Sequence, residues 1–175
     1  MKKILISLAF LFTMVLTANA QFYAGGSLGL HANKGNCEFA ISPEVGYTFQ
    51  NNTGVGCVFD FAYDKATKVT GFGVNPYFEY DFCTIGDKFT FYTHTYLHYA
   101  MASAPGMLTD HTYGVSLHPG VIWSVTDHWS AAFYVGGIEY MWNQPGGTAF
   151  KDGYGDFNLG LSTSVPFAVA LYYGF

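Results

Sequence analysis

Seven polar residues are the part of this chain whose types and spacing could do chemistry. Three are carboxylic acids, three are histidines and one is a tyrosine: Glu44, Asp60, Tyr77, Glu79, His94, His98 and His118. Carboxyl and imidazole groups exchange protons and attract cations. The set therefore indicates a proton- or cation-responsive site, a metal site, or a hydrogen-bonded polar network with a structural role.

The spacing of His94 and His98 argues against a metal centre. In a β-strand, residues four apart share a face but lie about 13 Å from each other. These two histidines cannot chelate one ion without ligands from other strands, and the chain contains no Cys-x-x-Cys pair. We therefore favour a polar network of tyrosine, histidine and carboxyl groups, and we expect neither a metal nor a cofactor.

Strands must position these residues, because large apolar or aromatic residues recur at every second position along most of the chain. The seven polar residues fall on the opposite face, with Gly, Ala, Ser, Thr and Asn. No lysine or arginine is expected on that face, so its acids should be protonated or share a proton with histidine. The alternation predicts eight strands, over residues 22–30, 38–49, 55–63, 72–82, 89–99, 113–125, 129–142 and about 157–175.

Three local expectations follow from this pattern. Gly136-Gly137 should form a bulge, because only a change of parity keeps Glu139 off the apolar face. Pro43, Pro76 and Pro119 each lie six residues before the end of an even-numbered strand, and we expect a break in the hydrogen-bond ladder at all three. Pro166 is a further candidate bulge on the inner face.

The cysteines are an odd set, Cys37, Cys57 and Cys83. A disulfide plus a free thiol is one interpretation. The predicted hairpin places position 57 opposite about position 77, which disfavours a Cys57–Cys83 bridge. We favour Cys57 as a small hydrophobic residue of the apolar face.

The first 20 residues are typical of a cleavable signal peptide. Lys2 and Lys3 precede a short apolar stretch over 4–16, and Ala18-Asn19-Ala20 matches a cleavage site. That apolar stretch is shorter than the ~20 residues of a membrane-spanning helix. We therefore predict export through the Sec pathway and a single mature domain over residues 21–175.

The composition of the predicted mature chain excludes some partners. Five lysines and no arginine stand against twelve acidic residues, which gives a formal charge of −7. Nucleic acid binding requires a basic surface, so we exclude it. Charged residues are 11% of the chain, well below the about 25% of soluble domains.

The bulk of the aromatic face decides between two kinds of barrel. A soluble lipocalin-like barrel places its apolar face inward, but eight strands enclose little more than a layer of side chains. The aromatic face is too large for that space and should meet lipid, which requires a closed barrel.

The connectors predict short turns at 50–54, 84–87 and 126–128 and longer loops at 31–37, 64–70, 101–112 and 143–154, as in outer-membrane barrels. Both chain ends would then lie in the periplasm, between two aromatic girdles.

Several segments resemble a known family. Ile41-Ser42-Pro43-Glu44-Val45-Gly46-Tyr47, Asn75-Pro76-Tyr77-Phe78-Glu79-Tyr80, the run 119–128 and the terminal Tyr173-Gly174-Phe175 are similar to the small outer-membrane β-barrel proteins common in Bacteroidota. The resemblance implies an eight-stranded barrel of the OmpX and OmpA type. It also implies that Tyr173 and Phe175 form a signal for the barrel-assembly machinery. A basic residue often stands in that family where this chain has Glu79.

From these features we expect a monomeric outer-membrane barrel with a side-chain-filled lumen and a structural or surface-interaction role. Its partners would be outer-membrane lipids, lipopolysaccharide, the assembly machinery and possible ligands of the outer loops. The alternative is a narrow passive pore for small or hydrophobic molecules. A lipid A-modifying enzyme is the least favoured, since Ser116 and His118 face inward and Asp110-His111 lacks a nucleophile beyond Thr109 or Thr112.

Overall fold

The computed structural model describes residues 21–33, 36–49, 51–134, 136–160 and 168–175. They form one closed antiparallel sheet of ten strand segments. The segments are β1 (Gln21–Asn33), β2 (Asn36–Thr48), β3 (Thr53–Asp64), β4 (Val69–Ile85), β5 (Phe89–Ser103), β6 (Asp110–Ser124), β7 (Trp129–Tyr134), β8 (Gly137–Gln144), β9 (Tyr154–Gly160) and β10 (Ala168–Gly174). A 3₁₀ turn, Phe150–Asp152, precedes β9.

The ten segments make eight passes of an up-and-down barrel. β1 to β6 are six passes in chain order, β7 and β8 pair successively with β6 as the seventh, and β9 and β10 form the eighth. β10 closes the barrel on β1, with Tyr23 opposite Gly174 and Gly26 opposite Leu171. The predicted fold class is confirmed. Among the described residues, no helix has the length and apolar character needed to cross a membrane.

The alternation along each strand separates an apolar exterior from a polar interior. In β4, the residues at 73, 75, 77 and 79 are buried and those at 76, 78 and 80 are exposed. Outward side chains remain open on every side of the barrel, as shown by Leu28 (73% exposed), Leu97 (62%) and Leu171 (56%). The buried residues are Tyr, Ala, Gly, His, Ser, Asn and Glu.

The predicted bulge in the seventh pass is confirmed. From Gly120 to Leu117, β6 advances three residues, while its partner advances four, from Tyr134 to Ile138. Gly136 has φ 63°, a conformation that favours glycine. The extra residue returns Ile138 to the exterior and turns Glu139 inward, as predicted.

All three prolines interrupt one side of their ladder. Pairing of β2 with β3 stops after Ile41 and resumes at Glu44, so it skips Ser42 and Pro43. Pairing of β4 with β5 skips Asn75 and Pro76, and pairing of β6 with the seventh pass skips His118 and Pro119. The predicted breaks are confirmed, and only the third is accompanied by a change of register. A further bulge lies between Asp81 and Cys83 and was not predicted.

The loops are shorter than the sequence predicted. The predicted loop at 31–37 is wrong, because β1 and β2 continue to the pair Asn33–Asn36. Backbone pairing does not require apolar side chains, so the hairpin continues through polar residues beyond the alternating apolar positions. Within the described ranges, the longest connectors lie between β5 and β6, over 104–109, and between β8 and β9, over 145–153.

Two expectations lie outside the described residues: the signal peptide over 1–20 and the bulge at Pro166. Cys57 lies opposite Pro76, one position from the predicted 77, and Cys83 lies opposite Phe91. Both thiols are free.

Candidate functional site

A layer of aromatic and acidic side chains crosses the lumen near its middle. We call it the central layer, and it consists of Tyr23, Glu44, Tyr77, Tyr92, His94, Tyr96, Tyr134 and Tyr172. Six of these side chains are less than a tenth exposed, and Tyr23 and Tyr134 are half-buried. The layer draws on β1, β2, β4, β5, β7 and β10, so it links opposite walls of the barrel.

Glu44 is the acceptor at the centre of this layer. The Tyr77 hydroxyl donates to its Oε1 at 2.5 Å, and the Tyr172 hydroxyl donates to its Oε2 at 3.0 Å. Tyr23 bonds to the Tyr77 hydroxyl at 2.5 Å, and Tyr134 bonds to the Tyr172 hydroxyl at 2.8 Å. Five strands thus meet at one carboxyl group, which has no lysine or arginine partner among the described residues.

His94 joins a second acid to the same layer. Its Nε2 lies 2.6 Å from Glu79 Oε2, and its Nδ1 lies 2.8 Å from the Tyr96 hydroxyl. The imidazole also stacks on Tyr77, with ring centroids 4.2 Å apart. The ring is only 2% exposed, so three neighbours fix its orientation.

Glycines on the neighbouring strands make room for the tyrosine rings. The ring-bearing residue lies directly opposite a glycine in four cross-strand pairs: Tyr23–Gly46, Tyr77–Gly56, Tyr92–Gly120 and Tyr172–Gly25. A Cβ at any of these glycines would overlap the ring. Each of these glycines therefore leaves the space that the ring of the opposite tyrosine occupies.

A second hydrogen-bonded chain lies on the loop side of the central layer. Asn75 Nδ2 donates to Asp60 Oδ2 at 2.5 Å, and His98 Nδ1 donates to Asn75 Oδ1 at 2.9 Å. His98 Nε2 lies 2.6 Å from Ser116 Oγ. Asn75 and Ser116 were absent from the predicted network, because neutral side chains show no distinctive spacing and only the strand register brings them to His98.

Ser116 and His98 have the contacts of a nucleophile and a base, with Asn75 as the orienting group. Ser116 is only 2% exposed and lines neither of the two cavities described below. Within the described part of the chain, its hydroxyl is therefore closed off from both cavities. His118, which shares the inner face with Ser116, is bonded through Nδ1 to the Gly136 carbonyl at 3.0 Å.

Three of the four loop residues weighed as an enzymatic site, Asp110, His111 and Thr112, make structural contacts. Asp110 accepts a hydrogen bond from the Gly146 backbone N–H at 2.6 Å. His111 lies 3.2 Å from the Tyr99 hydroxyl, and Thr112 donates to Asn143. The Asp110–Gly146 contact ties the β8–β9 connector to the start of β6.

Two cavities lie on either side of the central layer. The loop-side cavity has a volume of about 370 Å³, and Asp60, His98, His118 and Glu139 are among its lining residues. The turn-end cavity, at the end of the barrel that holds Phe22 and Phe175, has a volume of about 350 Å³. Glu44 and Tyr96 face the first cavity, while Tyr92 and His94 face the second, so the central layer separates the two cavities.

Of the seven predicted residues, the structure brings Glu44, Tyr77, Glu79 and His94 together at the central layer. It places Asp60, His98 and His118 around the loop-side cavity. Tyr173 and Phe175 lie at the turn end, in an aromatic cluster with Trp129 and Phe22. Among the described residues, no group of three or more His, Cys, Asp or Glu side chains is placed to hold a metal ion.

No family model matches this chain, and neither does any curated protein. The solved structures that share its fold include the following two. The N-terminal β-barrel domain of Pseudomonas aeruginosa OprF is 11% identical, with a TM-score of 0.56 over 90% of this chain and 98% of that chain. Neisserial surface protein A, NspA, is 16% identical, with a TM-score of 0.54 over 89% and 96%. These likenesses show the fold that the two structures have in common with this chain, a closed β-barrel.

Proposed function

We propose that this protein is an integral outer-membrane barrel, exported through the Sec pathway, with a structural or surface-interaction role and a closed lumen. The observation that carries the proposal is the central layer, which fills the cross-section with hydrogen-bonded side chains from six strands. A lumen closed in this way serves the stability of the barrel and not transport. The name of the Neisserial neighbour, a surface protein, supports an envelope location.

The exterior supports the membrane location independently. Large apolar side chains such as Leu28, Leu97 and Val115 remain exposed around the barrel, and contiguous apolar surface of this extent is rare on soluble proteins. Aromatic pairs occur near both rims, for example Phe89–Trp123 at the turn end and Tyr99–Tyr113 at the loop end. This arrangement matches an apolar band between two interfacial girdles.

The proposal extends to partners at the two rims. Lys65, Lys68 and Lys151 are exposed at the loop end, where they would meet lipopolysaccharide phosphates or extracellular ligands. Tyr173 and Phe175 at the turn end would serve the barrel-assembly machinery during insertion. The barrel functions as a monomer in this proposal, since lipid covers its whole exterior.

Single-channel recording in planar bilayers tests the closed lumen. We expect no sustained conductance from the native protein. Removing two rings of the central layer, by Tyr77→Ala with Tyr172→Ala, should join the two cavities and produce a conductance. The matched control is Tyr80→Ala with Tyr140→Ala, which removes two exposed tyrosines from the outer face and should remain silent.

A passive pore is the second candidate, because only one layer of side chains separates cavities of about 370 and 350 Å³. A small displacement of that layer would connect them. Sustained conductance of the native protein that changes when Glu44 or Asp60 is neutralised would establish the pore and rule out the closed lumen.

A further inference from the structure

The connector between β8 and β9 folds onto the outer face of the barrel. The Phe150 ring packs against Tyr113, with ring centroids 5.6 Å apart, and against Trp142, also at 5.6 Å. Tyr113 and Trp142 are directly opposite each other on β6 and β8, and both lie on the outward face of their strands. The Trp142 indole N–H donates to the Phe150 carbonyl at 3.2 Å. The 3₁₀ turn Phe150–Asp152 therefore lies beside the aromatic residues of the loop-end rim.

Further contacts hold this connector on the outer side of the rim. Asp110 accepts a hydrogen bond from the Gly146 backbone N–H at 2.6 Å. A Cβ at Gly153 would lie 2.6 Å from the indole nitrogen of Trp142, so the backbone passes directly over that ring. Of the described residues, none within 145–153 lines the loop-side cavity. The connector thus has a defined position, away from the lumen and against the exterior.

The open side of Phe150 continues the apolar exterior. Phe150 is 59% exposed although two rings pack against it, and the outward residues Val115 and Tyr140 below it are also exposed. The next residue, Lys151, is exposed as well. A lysine at this position can lay its apolar stem along the surface while its ammonium group stays at the level of lipid phosphates. Aromatic residues and lysine at the edge of an apolar band are typical of a membrane interface.

We propose that the turn Phe150–Asp152 is a membrane anchor that docks on the headgroup and upper acyl region of the bilayer. The proposal rests on the outer-membrane location proposed above. Continuity identifies lipid as the partner: Phe150 packs on Tyr113 and Trp142, which belong to the face that meets lipid, so that face extends onto the connector without a break. The anchor fixes the depth of the rim beside β6, β8 and β9.

The β3–β4 turn gives the contrast at the same rim. Its residues are Lys65, Ala66, Thr67 and Lys68. Asp64 Oδ1 accepts the backbone N–H groups of Ala66 at 2.8 Å and Thr67 at 3.2 Å, which closes a compact polar turn. This turn presents no aromatic side chain to lipid, so water is its natural environment.

Nitroxide spin labels in vesicles of phosphatidylcholine and phosphatidylglycerol test the anchor, in a variant whose three cysteines are replaced by alanine. One label is attached at Lys151→Cys in the turn, one at Leu97→Cys on the outer face and one at Lys65→Cys in the β3–β4 turn. We expect the label at 151 to collide more often with oxygen, which concentrates in lipid, than with a water-soluble nickel chelate. The label at 97 should do the same, and the label at 65 should show the opposite preference.

Substitutions of Phe150 test whether its ring holds the turn in the lipid. Phe150→Ala should shift the collision ratio at position 151 several-fold toward the chelate, because the apolar group that enters the bilayer is removed. Phe150→Trp should keep the native ratio, since tryptophan is well suited to the interface. Met107→Ala, which shortens an exposed apolar residue of the β5–β6 connector, is the matched control and should leave the ratio unchanged.

The reference labels separate failure of the anchor from failure of the membrane location. A label at 151 that behaves like the label at 65, while the label at 97 stays in lipid, would overturn the anchor alone. A water-exposed label at 97 would overturn the membrane location and the anchor with it. Poor access of both reagents to position 151 would place the turn against a second copy of the chain, and an unchanged ratio in Phe150→Ala would remove the role of the ring; either result would overturn the proposal.

Discussion

Tyr77 and Tyr80 lie three residues apart on β4 and meet opposite environments. Tyr77 is 4% exposed and bonds to Glu44 and Tyr23, whereas Tyr80 is 48% exposed on the outer face. A tyrosine thus closes the lumen at position 77 and covers the exterior of the barrel at position 80. Strand parity sets the role, so the two faces should respond very differently to matched substitutions.

The largest effect is expected from a charge on the outer face. Leu97→Lys, in the middle of β5, should destabilise the barrel by about 2–4 kcal/mol in phospholipid vesicles, because lysine is costly near the bilayer midplane. Met107→Lys, at an equally open loop position, should have little effect. Equal urea unfolding curves for the two variants would contradict a lipid-facing exterior.

An intermediate effect is expected from a methyl group on the inner face. Gly56→Ala places a Cβ against the Tyr77 ring, which Glu44 and His94 hold in place. We expect a loss of about 1–3 kcal/mol, the usual cost of overpacking, in urea unfolding. Gly71→Ala is the control, since the nearest atom to its added Cβ is 3.5 Å away. A neutral Gly56→Ala would show that the ring moves freely.

The smallest effect separates the two tyrosines themselves. Tyr77→Phe removes the hydroxyl that joins Tyr23 to Glu44 and should cost about 1–2 kcal/mol, because a buried carboxyl oxygen loses its donor. Tyr80→Phe should change the free energy of unfolding by less than about 0.5 kcal/mol. Equal losses in the two variants would mean that the inner hydrogen bond contributes little.

The sequence alone predicts the faces of this barrel well, because a period of two assigns every strand residue to one side or the other. Glu139 shows how far this goes: its unfavourable position on the apolar face was enough to locate the bulge at Gly136. The bulge at Phe82 was missed because no residue there conflicts with the alternation. Phe82 is aromatic and fits the apolar face, so the sequence gives no sign of a change in register.

The contacts inside the lumen could be predicted only in part. Periodicity indicates that Glu44 and Tyr77 face inward, but not that they touch, which depends on the register of β2, β3 and β4. The pairing of each tyrosine with an opposite glycine depends on register in the same way. The hairpin at 31–37 was missed because its polar residues are typical of loops. Backbone hydrogen bonds between strands form whether the side chains are polar or apolar.

The closing contact between β1 and β10 has a consequence for how the chain folds. Each of the first five hairpins joins strands that are neighbours in sequence, whereas Tyr23 and Gly174 lie at opposite ends of the described chain. Bringing them together costs the most chain entropy of any step, so docking of Ala168–Gly174 should be slow. Until then both edges of the sheet stay open to aggregation, and a truncated chain lacking its final strand should be trapped in that state.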